Sequence, residues 1–181
     1  GPTGLGVCEK FDLYNEVDFL MGSLSKISGA VGGFVACDKD TYDWFKCFAR
    51  SAMFTASMPP PIAAANIQAL KLFLENREIV QETREKRQYF ENLLVEAGFN
   101  IRPGNESLIV IVEVGDTERA GRMNEILLKS GIFATCVVYP AVPKDSSRFR
   151  FTISAGHSKS DLSLAVEVLK KAGKEVGMLR G

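Results

Sequence analysis

Lys26 is the single charged residue in LMGSLSKISGAVGGFV, the stretch that covers residues 20–35. Most lysines lie on solvated faces, where the alkyl chain covers apolar surface and the ammonium stays in water. Small neighbours on a loop between buried strands would instead desolvate this amine and lower its pKa, because desolvation disfavours the charged form. A neutral amine attacks carbonyl carbons, so Lys26 is a candidate to bind an aldehyde as a Schiff base.

Hydroxyl groups and glycines surround this lysine. Ser23 and Ser25 supply donors, and Gly22 and Gly29 allow a ligand to approach the backbone closely, which suits a phosphate group. The spacing fits a surface lysine on a flexible glycine-serine loop equally well, because short motifs often match by chance. The chain lacks the pattern GxxxxGK[ST], so the stretch is not a P-loop.

The elements that must position Lys26 are two short apolar runs. Residues 17–21 end at Gly22, and residues 32–37 end before an acidic turn. Each run predicts a buried strand, which places Lys26 on a loop fixed at both ends.

Helical patterns follow these strands. Residues 41–50 carry three aromatic side chains on one side, and the prolines at 59–61 end that helix and suit the start of the next one. From 62 to 97 the pattern predicts one long connecting helix, with charge pairs four residues apart such as Arg87–Glu91, closed by Gly98.

The C-terminal part alternates strands and helices. We expect strands at 107–114, 132–140 and 148–154 and helices at 117–131 and 158–173, the last opening with a capping box of Ser158 and Asp161. This alternation is typical of a small α/β domain.

Two arginines lie in the strand RFRFTIS. Alternation puts Phe149 and Phe151 on one face and Arg148 and Arg150 on the other. We therefore expect both guanidinium groups to point out of the core, where an arginine fork suits a planar carboxylate. Only Arg150 is taken as a binding residue; a solvated strand residue is the simpler interpretation of Arg148.

Composition limits the classes of function. The chain has 22 basic residues (Lys and Arg) and 22 acidic residues (Asp and Glu), so its formal net charge is zero. This charge does not indicate nucleic acid or an anionic membrane as a partner. The four cysteines lack CxxC spacing and the chain has one histidine, so we expect no metal site. We expect the four thiols to be reduced, as in a cytoplasmic protein. We expect no transmembrane segment and no signal peptide. The opening GPTGLGVCEKFDL predicts a glycine-rich loop in the middle of a domain.

Three motifs, in order, carry a resemblance to a known family. MGSLSKISGAVGGFVA, FTASMPP and YPAVPKDSSRFRFTISAGHS resemble the α-oxoamine synthase family of fold-type I pyridoxal-phosphate enzymes. The resemblance implies an α/β fold in which residues 1–75 are the C-terminal part of an aspartate aminotransferase-like large domain. Residues 76–181 would be the small C-terminal α/β domain.

The resemblance also implies an activity and a cofactor. Family members bind pyridoxal 5'-phosphate and condense a small amino acid with an acyl thioester, carried on coenzyme A or on an acyl carrier, with loss of carbon dioxide. The product is an α-amino ketone.

Four site residues follow from the resemblance. Lys26 matches the lysine that holds the cofactor covalently and later moves protons at the substrate Cα. Ser23 matches a hydroxyl residue that binds the cofactor phosphate. Thr55 matches a hydroxyl position that reaches the phosphate in the neighbouring subunit, which implies a homodimer with shared active sites. Arg150 matches the arginine that binds the amino-acid carboxylate.

Other residues of the family's cofactor site are expected outside this sequence, and the roles of three residues within it are open. The resemblance implies that the residue stacking on the cofactor ring and the aspartate at its nitrogen lie upstream of Gly1, so these 181 residues alone should be inactive. His157 is taken as structural. The sequence does not decide whether Arg50, Ser57 or Asn66 approaches the cofactor.

Two alternative functions remain open. The chain could belong to another fold-type I pyridoxal-phosphate enzyme, an aminotransferase or a lyase. It could also be a non-catalytic subunit that lends Thr55 to the active site of a partner.

Overall fold

Two structural units make up the computed structural model, which describes residues 1–102 and 107–179. The units are Gly1–Glu78 and Ile79–Gly181. The boundary expected from the sequence follows residue 75, and the units divide three residues later.

The first unit contains a two-stranded sheet and helices of 4 to 16 residues. Strands β1 and β2 pair antiparallel, with Leu20 opposite Ala36 and Ser23 opposite Gly33. The elements of this unit are α1 (Val7–Phe11), β1 (Leu20–Ser23), β2 (Gly33–Ala36), α2 (Lys39–Phe48), α3 (Arg50–Met53) and α4 (Pro60–Glu75). Two strands flank the Lys26 loop as predicted, but β1 begins at Leu20 rather than at residue 17.

The prediction that both strands are buried is wrong. Three of the four residues of β1 and all four of β2 are exposed. Large apolar side chains of this unit such as Phe19, Phe34 and Trp44 are themselves exposed, so no packed layer covers the faces of the sheet. The opening segment also differs from expectation, because it contains the short helix α1 within the expected loop.

The expected single helix over 62–97 is two helices. Helix α4 ends at Glu75, and helix α5 covers Glu78–Glu96. The Asn76 carboxamide Nδ2 donates a hydrogen bond to the Leu72 carbonyl oxygen at 2.7 Å, which satisfies an acceptor at the C-terminal end of α4. No glycine or proline marks this break, so the periodic pattern hides it.

The second unit is a three-stranded antiparallel sheet with helices packed on it. The strand order is β3-β5-β4, and the elements after α5 are β3 (Ile109–Gly115), α6 (Thr117–Lys129), β4 (Thr135–Val137), β5 (Ser147–Thr152) and α7 (Lys159–Glu175). The predicted strand at 132–140 is therefore much shorter than expected.

One hydrophobic core lies on one face of this sheet. Phe149 and Val112 are fully buried, and they pack with Leu94 of α5, Met123 of α6 and Leu169 of α7. Helix α7 starts with the predicted capping box, in which Ser158 and Asp161 bond each other's backbone N–H groups. The sheet and its helices therefore hold β5, the strand of Arg150, rigidly.

Among the described residues, no helix is both long and apolar enough to cross a membrane. The four cysteines are free thiols. Residues 1–102 and 107–179 contain no group of three or more His, Cys, Asp or Glu side chains arranged to hold a metal ion.

Candidate functional site

Lys26 lies on the connection between β1 and β2. Its side chain is exposed, so the expectation that its surroundings desolvate the amine is wrong for this chain. The connection turns its apolar residue Leu24 inward instead, where 9 % of that side chain is accessible. The Lys26 side chain is consequently accessible to a ligand from solvent.

Backbone hydrogen bonds close the loop that carries Lys26. The Leu24 N–H donates to the Gly32 carbonyl oxygen at 3.0 Å, which extends the strand pairing by one bond. The Ser28 N–H donates to the Leu24 carbonyl oxygen at 3.0 Å, which forms one helical turn around Lys26. The loop is therefore ordered at both ends and in its middle.

Ser23 ends β1 three residues before Lys26. Its hydroxyl lies 2.8 Å from the Ser25 hydroxyl, and both side chains are exposed. A shallow cavity of about 570 Å³ lies beside β1 and β2 and is lined by Ser23, Gly33 and Ser51, among others. Lys26 is not among its lining residues, so the hydroxyl and the amine face open space rather than one closed pocket.

Thr55 lies in the segment between α3 and α4. The segment has neither helical nor strand structure, and Thr55 is exposed. Pro60 and Pro61 fix the following helix start, because proline suits the first turn of a helix. Thr55 is thus available to a ligand or to another chain.

Arg150 lies in the middle of β5, the central strand of the second unit. Its register partners are Ile111 on β3 and Thr135 on β4, and its side chain is exposed while Phe149 and Phe151 enter the core. The predicted alternation of the strand is confirmed for these three residues. Arg150 also lines a cleft of about 510 Å³, together with His157 and Phe133.

The expectation that Arg148 points into solvent is wrong. Arg148 is 9 % accessible, its Nε donates to the Ser146 carbonyl oxygen at 2.9 Å, and its Nη1 lies 3.6 Å from the Glu113 carboxylate. Glu113 is the register partner of Arg148 on β3, so the cross-strand pair explains the burial. Of the two arginines, Arg150 is the exposed one.

His157 belongs to the turn between β5 and α7. Its Nδ1 accepts a hydrogen bond from the Ser154 backbone N–H at 3.2 Å, and the His157 backbone N–H donates to the Ser154 carbonyl oxygen. In the next turn, the Ser158 hydroxyl lowers the pKa of Asp161 by hydrogen bonding to its carboxylate. These bonds shape the turn that follows the Arg150 strand.

The structure brings Ser23 and Lys26 together on one hairpin, and it places Thr55 in the same unit. Arg150 lies in the other unit. A contact that sequence reasoning missed is the one between Ser28 and Asn66, whose side chains are hydrogen-bonded. The signal in the sequence is Asn66 itself, a polar residue in the otherwise apolar helix start PPIAAANIQAL.

Comparison with known proteins defines the class. The model of the aminotransferase class I and II family matches residues 4–169. The chain is 38% identical to an 8-amino-7-oxononanoate synthase of Petrotoga mobilis over 99% of its own length and 45% of that enzyme. It is 36% identical to the enzyme of the same name from Alkaliphilus oremlandii, again over 99% of the chain and 45% of the relative.

A solved structure agrees with these relatives. It is described as SPT, serine palmitoyltransferase, with a pyridoxal-phosphate internal aldimine, and it matches with a TM-score of 0.89 and 30% identity over 99% of this chain and 45% of its own. The chain belongs to the aminotransferase class I and II family, and within that family to the α-oxoamine synthases. The family resemblance and the fold-type I α/β fold class are therefore confirmed. The chain spans about half the length of the curated relatives it matches.

Proposed function

We propose that the full-length protein is a pyridoxal-phosphate-dependent acyltransferase. It condenses a small amino acid with an acyl thioester, carried on coenzyme A or on an acyl carrier, and releases carbon dioxide and an α-amino ketone. The observation that carries this proposal is the ordered hairpin that presents Lys26, in a chain that aligns over 99% of its length with enzymes named 8-amino-7-oxononanoate synthase. The relatives' names supply the reaction class, and the hairpin supplies the reactive amine.

The residues of the hairpin fit pyridoxal 5'-phosphate. The exposed Lys26 amine can hold an aldehyde carbon, and the exposed hydroxyls of Ser23 and Ser25 can donate hydrogen bonds to a phosphate. When bound, this cofactor supplies the electron sink that stabilises negative charge at the substrate Cα. Lys26 would hold the cofactor, release it to the amino acid, and then accept and return a proton at Cα.

Arg150 would bind the carboxylate of the amino-acid substrate. Its guanidinium is exposed on the face of β5 opposite the core, and a guanidinium forms two parallel hydrogen bonds to a carboxylate. The backbone of Arg150 is held by β3 and β4 on either side. A rigid strand lets the side chain fix the orientation of the bonds at Cα, which selects the bond that breaks.

The proposal includes a homodimer with shared active sites. Thr55 is exposed on a segment without regular structure, and its hydroxyl would donate to the cofactor phosphate in the partner subunit. Each active site would then need residues of two chains, because a two-fold axis repeats the contact reciprocally.

The cofactor step is tested by absorbance spectroscopy of the full-length protein with added pyridoxal phosphate. We expect a visible band that disappears in Lys26→Ala and persists in Lys46→Ala, a lysine of α2 that serves as the matched control. A folded dimer without the band, before and after the substitution, would refute the catalytic proposal and favour a non-catalytic partner subunit.

The reaction step is tested separately. The family description also covers aminotransferases, so an amino-group transfer is the second candidate function. Carbon dioxide release from alanine that requires an acyl-CoA supports the acyltransferase. Amino transfer that requires a keto acid, without thioester-dependent carbon dioxide release, supports the aminotransferase.

A further inference from the structure

We propose that Asn66 is a positioning residue that fixes the loop carrying Lys26. The inference rests on the proposed function for the role of Lys26, but the contacts of Asn66 are independent of any cofactor. Asn66 lies on α4, and its side chain reaches back to the connection between β1 and β2. It would therefore act on the reaction through Lys26 rather than by touching the substrate.

Burial marks this carboxamide as unusual. All of residues 1–78 are described, and only Leu24 and Asn66 among them are buried, at 9 % and 4 % accessibility. A buried amide without partners is destabilising, so its hydrogen bonds must be made inside the protein. Both buried residues of this unit therefore belong to the Lys26 loop or to its support.

The Asn66 carboxamide is hydrogen-bonded on both of its polar atoms. Its Nδ2 donates to the Val31 carbonyl oxygen at 3.1 Å and to the Met58 sulfur at 3.3 Å, and its Oδ1 accepts from the Ser28 hydroxyl. These bonds use both amide protons and one lone pair of the oxygen. A shorter or apolar side chain at this position cannot make them.

Asn66 contacts the residues after Lys26 directly, and through Ser28 the network reaches the residues before it. Ser28 follows the lysine by two residues, its hydroxyl lies 2.6 Å from the Leu24 carbonyl oxygen, and Leu24 precedes the lysine by two residues. The single hydroxyl proton serves Leu24 or Asn66 at any one time, so the three groups form one small network. Releasing Asn66 would remove the anchor of Ser28 and Val31, the residues that follow the lysine, and the network would then rest on the Ser28–Leu24 bonds alone.

Close packing at Gly32 supports the same assignment. Gly32 has a φ of 124°, and a Cβ placed on it would lie 2.4 Å from the methyl carbon of Met58 and 3.7 Å from the Asn66 Nδ2. The end of the loop therefore approaches the Met58 methyl more closely than a residue with a Cβ could without displacing it, and it lies within van der Waals distance of the Asn66 carboxamide. The loop, Met58 and α4 form one packed unit.

The experiment compares Asn66→Ala and Ser28→Ala in the full-length protein. The matched control is Gln68→Ala, which removes an exposed carboxamide from the same helix. Hydrogen exchange without cofactor reports the loop directly. We expect exchange at the Leu24 and Ser28 amides to accelerate about tenfold in Asn66→Ala, and to stay within about twofold in Gln68→Ala, because loss of the anchor promotes local opening.

Kinetics and spectroscopy of the holoenzyme report the effect on Lys26. We expect kcat to fall about tenfold while KM for the amino acid changes less than about twofold, because a displaced amine slows proton transfer without removing the carboxylate site. The pH midpoint of the cofactor band should also shift. The double variant should be no worse than Asn66→Ala alone, since both substitutions break the same network.

Each result decides a separate point. Unchanged exchange in Asn66→Ala refutes the anchor. Faster exchange with unchanged kcat and an unchanged pH midpoint refutes the positioning role, because the loop would then be held without consequence for Lys26. If the parent protein shows no band that depends on Lys26, the proposed function fails, whereas the exchange result still decides whether Asn66 anchors the loop.

Discussion

Arg148 and Glu113 face each other across β5 and β3 as register partners, with the Arg148 Nη1 3.6 Å from the Glu113 Oε1. Arg102 Nη2 lies 2.7 Å from the same oxygen, so two guanidiniums flank one carboxylate. Arg150, two residues further along the strand, is exposed. The two arginines of RFRFTIS therefore have different roles: Arg148 stabilises the sheet, and Arg150 is available to a ligand.

Substitution of the two arginines should separate stability from binding. Arg148→Ala should lower the free energy of unfolding by about 2 kcal/mol, because it removes one partner of a largely buried carboxylate. Arg150→Ala should change it by less than about 0.5 kcal/mol, as is usual for an exposed residue, but should weaken binding of the amino-acid substrate. Urea denaturation and substrate titration measure the two effects. Equal destabilisation by both variants would contradict this division.

The core of the second unit should tolerate truncation poorly. Phe149 is fully buried among the sheet and its helices, whereas 84% of Phe133 is accessible. We expect Phe149→Ala to cost about 4 kcal/mol, from lost burial and the cavity left behind. Phe133→Ala is the matched control and should cost less than about 0.5 kcal/mol. Urea denaturation checks both values, and a small cost for Phe149→Ala would show that this core is not closely packed.

The capping box of α7 predicts a pH dependence. The hydrogen bond from the Ser158 hydroxyl, with a second from the Ser158 N–H, lowers the pKa of Asp161 below its ordinary value of 3.8. A carboxyl whose pKa is lower in the folded state stabilises the protein above its unfolded pKa, and this stabilisation is lost as the pH falls through the folded pKa. Asp161→Asn should therefore be less stable than the parent at neutral pH. The two proteins should be equally stable at a pH low enough to protonate the parent's Asp161 in both the folded and the unfolded state.

The control for this pH dependence is the same substitution in a Ser158→Ala background. There the effect of Asp161→Asn should shrink, because the first and largest cause of the lowered pKa is absent. Urea midpoints measured from neutral pH to about pH 2 cover the window. A difference between parent and Asp161→Asn that persists unchanged at the acid end would contradict the assignment.

Local signals in the sequence predicted local structure well. The capping box lies within four residues, and the alternation of RFRFTIS lies within one strand, so both could be recognised without knowledge of the fold. The burial of Arg148 depends on its register against Glu113, which is distant in sequence, and strand alternation alone cannot show it. The break at Asn76 was missed because an asparagine, rather than a glycine or proline, caps the last turn of α4.

In the candidate site, too, local relationships could be predicted from the sequence and long-range ones could not. Ser23 and Lys26 share one hairpin, so one short motif was enough to place them together. The hydrogen bond between Ser28 and Asn66 joins residues 38 positions apart, and only the packing of α4 against the loop reveals it. The exposure of Lys26 was predicted wrongly, because the small neighbours of the lysine indicate a loop but do not show which of its side chains turn inward.

Hybrid dimers should show whether Thr55 acts in its own subunit or in the partner. In a purified hybrid of one Lys26→Ala chain and one Thr55→Ala chain, the intact Lys26 belongs to the chain that lacks Thr55. If Thr55 acts across the interface, that site receives its threonine from the other chain, and the hybrid should recover about half of the parent activity because one of two symmetric sites is intact. If Thr55 acts within its own chain, neither site is complete and the hybrid should be no more active than the Thr55→Ala homodimer. The activity of the hybrid, compared with that of the Lys26→Ala homodimer and of the Thr55→Ala homodimer, therefore tests the shared active site directly.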